Sequence, residues 1–248
     1  MSVLITGGGG FIGSHLVEHY LSETDWNVVV LDNFSSGRLG NLAHLEDEPR
    51  LRIREGDIQD EGAVADLVSD ADLIYHLAAA IGVRKIVDEP LKSFKTNLVG
   101  TENVLEAACG DGTPVFIASS SEVYGKSTDV PFAEDDDRIL GPVQVPRWSY
   151  STGKAADEFL GLTYYDKYDL PVVIGRFFNI AGPRQSGQYG HVIPRFVEQA
   201  LRGDPLTVYG DGTQVRSFTH VKDAVDVISS LMETPESEGE VFNVGAND

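Results

Sequence analysis

The 248-residue chain is short of sulfur, of tryptophan and of positive charge: one cysteine, two methionines, two tryptophans, and 19 lysines and arginines against 39 acids. With Cys109 alone, no internal disulfide can form. That suits a reducing, cytoplasmic setting. No apolar run approaches the roughly 20 residues that a bilayer-spanning helix needs. Met1–Ile5 runs straight into glycines without a basic flank or cleavage signal, and reads as a first strand rather than a signal peptide. No cluster of cysteine and histidine offers a metal site. The net charge of −20, with few lysines, repels nucleic acid and anionic membranes. Such an acidic surface is also what adaptation to high salt predicts, and activity measured against KCl concentration tests it. What remains is ample for folding: 42% hydrophobic residues, enough to bury the core of one large domain or of a domain with a small second lobe.

Apolar, β-branched runs alternate with helical patterns. Strands are predicted at 3–5, 28–31, 51–54, 73–76, 115–118, 172–175 and 241–244, and helices at 11–21, 63–67, 91–109 and 150–168. This alternation predicts βαβ units, that is, an α/β fold with a doubly wound parallel sheet covered on both faces. From Gly182 onward glycines, prolines and short segments dominate. The expected division is a dinucleotide-binding domain over 1–178 and a smaller substrate lobe over 179–248, interleaved with the first and apparently incomplete at its C-terminal end. The ligand belongs at the C-terminal edge of the sheet.

Gly7, Gly10 and Gly13 follow the first strand and open the first helix. The first glycine allows a tight turn, the second a close approach of backbone to a pyrophosphate, and the third close packing of helix on strand. The helix N-terminus, at Phe11 and Ile12, offers N–H groups and a positive dipole to phosphates. Asp32 ends the second strand 19 positions after Gly13. A carboxylate there accepts from adenosine ribose hydroxyls and repels a 2′-phosphate, which selects NAD over NADP. Asn33, Ser35, Ser36 and Gly37 form a polar run able to close over the adenosine. Asp57, before Ile58, can reach the adenine amino group or cap a helix. The small residues after Leu77, Ala78 and Ala79, let a dinucleotide lie near the backbone.

Tyr150 and Lys154 stand four residues apart on a predicted helix, hence on one face. An ammonium lowers the pKa of a neighbouring phenol, and a phenolate can take a proton from a substrate hydroxyl. Alone, this spacing is common. Ser119-Ser120-Ser121-Glu122 leaves the end of the fifth strand toward the same crevice and supplies a hydroxyl to bridge substrate and phenol.

In this order the motifs TGGGGFIG, Asp32-Asn33, GDI, HLAA, SSSEVYG, YSTGK, FFNIAGPR and RSFTHVKD resemble the extended short-chain dehydrogenases/reductases of the nucleotide-sugar epimerase/dehydratase family, over essentially the whole chain. The resemblance implies a tightly held, recycled NAD and a UDP-sugar substrate. It implies Ser120, Tyr150 and Lys154 as the catalytic set, with Asn97 supporting the active-site helix beside the cofactor. Asn179 and Arg216 fall at positions that hold the sugar-nucleotide diphosphate, and the fork of arginine suits phosphate oxygens. Tyr209 falls in a segment lining the base; Ser121, Val192 and Arg195 complete the implied substrate site. A homodimer through a four-helix bundle of 91–109 and 150–168 is also implied. Sugar selectivity is expected near Arg84, Gln185–Gln188 and His191, the last as a loop-to-helix polar residue.

Members of this family share oxidation of the sugar C4 hydroxyl to a ketone. A 4-epimerase of the UDP-glucose/UDP-galactose type is the first expectation, since it needs little beyond Ser120, Tyr150 and Lys154. A UDP-glucuronate decarboxylase follows closely, because Ser121–Gly125 and Gly141–Tyr150 resemble such enzymes. A 4,6-dehydratase fits poorly: its Asp-Glu pair would here be Ser121-Glu122. A binding-only protein would usually lack the tyrosine or the lysine. Glu122 is the residue on which the choice of reaction most depends.

Overall fold

The computed structural model describes residues 1–80, 88–187 and 191–246. Its strands and helices run β1 (Ser2–Thr6), α1 (Phe11–Glu23), β2 (Asn27–Asp32), β3 (Leu51–Glu55), α2 (Glu61–Val68), β4 (Leu73–His76), α3 (Pro90–Asp111), β5 (Val115–Ser120), α4 (Trp148–Tyr168), β6 (Val172–Phe177), β7 (Ile180–Ala181), α5 (Val192–Arg202), β8 (Thr219–His220), α6 (Val221–Met232) and β9 (Val241–Val244). Seven strands form one sheet in the order β3-β2-β1-β4-β5-β6-β9, and every pairing is parallel. Both faces are covered. Val3, Ile5, Val28, Val30 and Phe116 meet α1 and α6 on one side; Leu4, Leu31, Ile74 and Ile117 pack with residues of α2 and α3 on the other. That two-sided burial is why the strands read as continuous apolar runs rather than alternating ones. The order reverses between β1 and β4, so the chain leaves these two strands in opposite directions and opens a crevice at their C-terminal ends.

The expected strands are all present, a residue or two longer at several ends. Two helices escape the sequence reading, α5 and α6, because glycines and prolines around them mask their periodicity. Their roles differ. The β7–β8 pair and α5 stand over the crevice, whereas α6 returns to the main core with Val221, Val225 and Ile228, and β9 joins the sheet beside β6. Within 179–248, residues from 192–196 and 207–218 line the crevice, and 221–244 pack into the layer and sheet built by the earlier residues. Arg184 fastens the start of the returning chain to α1, through Glu18, His15 and the Ser14 and Asn41 carbonyls.

Candidate active site

One cleft of about 1290 Å³ runs along the C-terminal ends of the strands, from the glycine loop to the segment over the crevice. Its first half is built from backbone. Gly7 has φ +74°, and a Cβ there would come within 2.8 Å of the Ala78 nitrogen. A Cβ at Gly13 would collide with the Gly7 carbonyl. Only glycine lets the turn and the helix start approach so closely. Gly10 caps α1 without any side-chain bond to the first turn, leaving that end of the helix to a ligand.

Asp32 sits at the end of β2 with its carboxylate accepting from Gly9 N–H (2.9 Å) and Phe34 N–H (2.7 Å). Burial raises its pKa, and these two bonds oppose the rise. Each oxygen keeps a lone pair for a ribose hydroxyl. Asn33 donates to Asp57 at 2.8 Å, tying the polar run to the end of β3. Asp57 does not cap α2; Asp60 does, accepting from Ala63 N–H at 3.1 Å. A glycine cradle, an open helix start and an aspartate at the far rim fit an adenine dinucleotide.

The second half gathers the residues expected to act in catalysis. Ser120 and Glu122 come from the turn after β5; Tyr150 and Lys154 come from the first turns of α4. All four line the cleft. The Ser120 hydroxyl faces the Tyr150 phenol and helps to lower its pKa. Lys154 is 2% exposed and donates to the fully buried Asp157 carboxylate at 3.0 Å. Burial raises the phenol of Tyr150, and the Lys154 charge and the Ser120 hydroxyl pull against it. The expected lowering of the phenol by lysine is therefore present but outweighed in the protein alone. Burial also pulls the ammonium of Lys154 down, but Asp157 and Tyr150 more than compensate and its pKa is raised, so it stays charged.

Behind this pair lies a buried polar network that sequence reasoning missed. Ser119 donates to Glu158 at 2.5 Å, and Arg176 grips both Glu158 oxygens at 2.9 Å. Arg176 continues to the Tyr124 hydroxyl at 2.7 Å, and Tyr124 to Asn243 at 2.7 Å. This network ties β5, α4, β6 and β9 together beneath the serine turn. Its signal was the charged pair at 157 and 158 on a helix face that must be buried. His76 lies fully buried between Thr6 (2.9 Å) and Thr101 (3.1 Å). Burial, and then the Lys154 charge, push its pKa down to about 3.

Two expected site residues do not reach the cleft. Asn97 bonds the Ala80 backbone, accepting from its N–H at 2.6 Å, and so holds the end of the loop after β4. Arg195 turns to Tyr209, bonding its hydroxyl at 2.5 Å, and places that ring rather than lining the cleft itself. The remaining expected cofactor residues, from Gly7 to Lys154, all line it, as do Ser121, Asn179, Val192, Tyr209 and Arg216. Asn179 donates to the Ser217 carbonyl at 3.1 Å, which brings it to the segment that carries Arg216, the other position expected to hold a diphosphate. Of the expected selectivity residues, Arg84 and Gln188 lie outside the described residues. His191 stands at the start of α5, at the loop-to-helix junction where it was expected. Gln185 lines the cleft and donates to the Ile180 carbonyl at 2.8 Å, while its side-chain oxygen is buried without a partner. Arg147, not singled out from the sequence, also lines the cleft. Among the described residues no helix is long and apolar enough to cross a membrane.

The family model described as "NAD dependent epimerase/dehydratase family" matches residues 3–245. The chain is 45% identical to the UDP-N-acetyl-alpha-D-glucosaminuronate decarboxylase of Bacillus cytotoxicus, over 99% of this chain and 75% of that protein. It is 40% identical to UDP-glucuronic acid decarboxylase 4 of Arabidopsis thaliana, over 94% of this chain and only 51% of that one. The crystal structure of the UDP-glucuronic acid 4-epimerase of Bacillus cereus, in complex with UDP-glucuronic acid and NAD, superposes with a TM-score of 0.88 at 33% identity, covering 100% of this chain and 78% of that one.

Proposed function

Because the chain belongs to the NAD-dependent epimerase/dehydratase family, and its glycine cradle and Asp32 fit that cofactor, we propose that it decarboxylates a UDP-linked uronic acid. The observation that carries this reading is Glu122, a carboxylate in the cleft two residues beyond Ser120, in a chain whose decarboxylase relatives are 38–45% identical.

Bound along the first half of the cleft, NAD would take hydride from sugar C4 and later return it. The protein's share is proton management. Tyr150, as phenolate, takes the proton of the C4 hydroxyl while Ser120 bridges the two oxygens. Lys154 holds the phenolate by its charge, and Asp157 keeps that charge in place. The 4-keto uronate is then a β-keto acid: the C5–C6 bond breaks, CO₂ leaves, and the electron pair passes to the C4 oxygen as an enolate. Tyr150, now protonated, faces that oxygen. A proton enters at C5, which we assign to relay through Glu122 from solvent. Arg216 and Asn179 hold the diphosphate throughout.

Incubation with UDP-glucuronate and with UDP-N-acetylglucosaminuronate, followed by NMR of the products, tests this. CO₂ and a UDP-pentose are expected. A UDP-hexuronate inverted at C4, without CO₂, would replace this reading by the 4-epimerase. That second reading has its own support in the trio Ser120, Tyr150 and Lys154, which suffices for epimerisation, and in the Bacillus cereus fold match.

We further propose a homodimer through α3 and α4. These helices pack on each other, and α4 leaves Phe159 and Tyr168 exposed. Light scattering on the wild type and on Phe159→Glu is the check, with a dimer converting to a monomer as the expected outcome.

A further inference from the structure

We infer that Arg147 receives the sugar carboxylate of the substrate, exchanging its partner Glu122 for it, and so sets the preference for acidic over neutral sugars. This deepens the uronate reading above and rests on it.

Arg147 immediately precedes α4, three residues before Tyr150, and faces Glu122 across the cleft. Nη2 of Arg147 lies 3.3 Å from Oε2 of Glu122, and both side chains are about half exposed. The guanidinium lies over the Trp148 ring, 5.3 Å from its centre. That ring is itself confined, since a Cβ at Gly141 would run into the indole. The cation therefore has a fixed platform and, among the described residues, one long carboxylate contact, with most of its fork open to a second carboxylate.

The other cations that line the cleft stand at other places in it. Lys154 is buried against Asp157, and Arg216 lies across the cleft at the diphosphate position. Lys92 lies 3.3 Å from Glu89. Among the described residues Arg147, three positions before Tyr150, is the lining cation nearest to it in sequence, with Lys154 four positions after. In a hexuronate the carboxylate is borne by C5, the ring atom next to C4. A sugar whose C4 hydroxyl meets Tyr150 thus carries its carboxylate within a few ångströms of the same helix end. In a chain of net charge −20, an anionic ring needs a dedicated cation to enter the cleft at all. Displaced from Arg147, Glu122 becomes free to serve the sugar ring.

The test is calorimetric binding and steady-state kinetics on the NAD-loaded protein, with UDP-glucuronate, UDP-glucose and UDP. For the wild type, tighter binding of UDP-glucuronate than of UDP-glucose is expected. Arg147→Gln should weaken UDP-glucuronate by about 10- to 100-fold, as expected for loss of a charge-assisted pair, while UDP and UDP-glucose change less than threefold. Arg147→Lys should recover part of the loss. If the wild type binds both sugars equally, the uronate reading itself fails. If the wild type prefers the uronate and Arg147→Gln keeps that preference, Arg147 is a surface cation only and this inference is overturned.

Discussion

The floor and the mouth of the cleft are built on opposite principles. Beneath Ser120 and Tyr150 lie Lys154, Asp157, Glu158, Arg176 and His76, all buried and each held by hydrogen bonds: Lys154 to Asp157, Arg176 to Glu158, and His76 to Thr6 and Thr101. Around the opening lie Tyr209, Val208 and Phe218, which are exposed, and α5 buries none of its residues. The floor holds charges where they cannot move. The mouth presents side chains that a ligand can still rearrange. The proposed reaction calls for this division: its proton transfers need geometry fixed to fractions of an ångström, while the proposed recognition of a sugar needs only an adaptable wall.

The largest effect that would test the contrast is at the floor's working surface. Tyr150→Phe should cost about 10²- to 10⁴-fold in kcat, the range for a positioned acid–base group, while NAD stays bound through ultrafiltration. Lys154→Met should move the alkaline-side rise of kcat/KM to higher pH, since the lysine charge is what lowers the phenol. Retention of most activity by Tyr150→Phe would remove the floor from the mechanism altogether.

Next comes the network below. Arg176→Met leaves Glu158 buried and unpaired, and should lower unfolding stability by about 3–5 kcal/mol in urea melts. A double change of Arg176 and Glu158 to methionine should regain most of this loss. A single variant with unchanged midpoint would show the floor to be no more rigid than the mouth.

A smaller effect concerns acid. His76 binds no proton in the fold until about pH 3, but binds one near 6.5 when unfolded. The unfolded state thus takes up more protons between these values, and stability contributed by the neutral ring is complete above pH 6.5 and lost as pH falls. Between pH 6.5 and 5 the loss from this site is about 2 kcal/mol, at 1.36 kcal/mol per unit. His76→Gln should flatten the acid limb of a stability profile by that amount relative to wild type.

The smallest effect is at the mouth. Arg216→Gln should raise KM about tenfold through one lost phosphate contact, with kcat and stability nearly unchanged. If it instead unfolds the protein, the mouth shares the floor's role.

The same division decides what could be read from the sequence. The glycine loop, Asp32 and the strands were legible because backbone geometry admits few residues there: Gly7 and Gly13 have no room for a Cβ. Tyr150 and Lys154 became legible only with Ser120 and the order of motifs. Asp157 and Arg176 were not, because a charge 157 residues along a chain looks like any solvated charge until the fold shows what it is buried against. α6 was missed for another reason. Its apolar spacing is clear once isolated, but the segment from Gly182 reads as loops, and its true partners, Leu16 and Val17, lie some 200 positions earlier.

That return of the chain has a consequence for how the molecule is made. β1 leaves the ribosome before the other strands of this sheet, yet the face it shares with Leu16 and Val17 is covered by Val221, Val225 and Ile228, some 200 positions later. Until α6 emerges, an apolar surface at the centre of the nascent sheet stays uncovered. The slow step of folding should then follow translation rather than accompany it, and a ribosome stalled before residue 221 should hold a chain that chaperones bind and proteases cut.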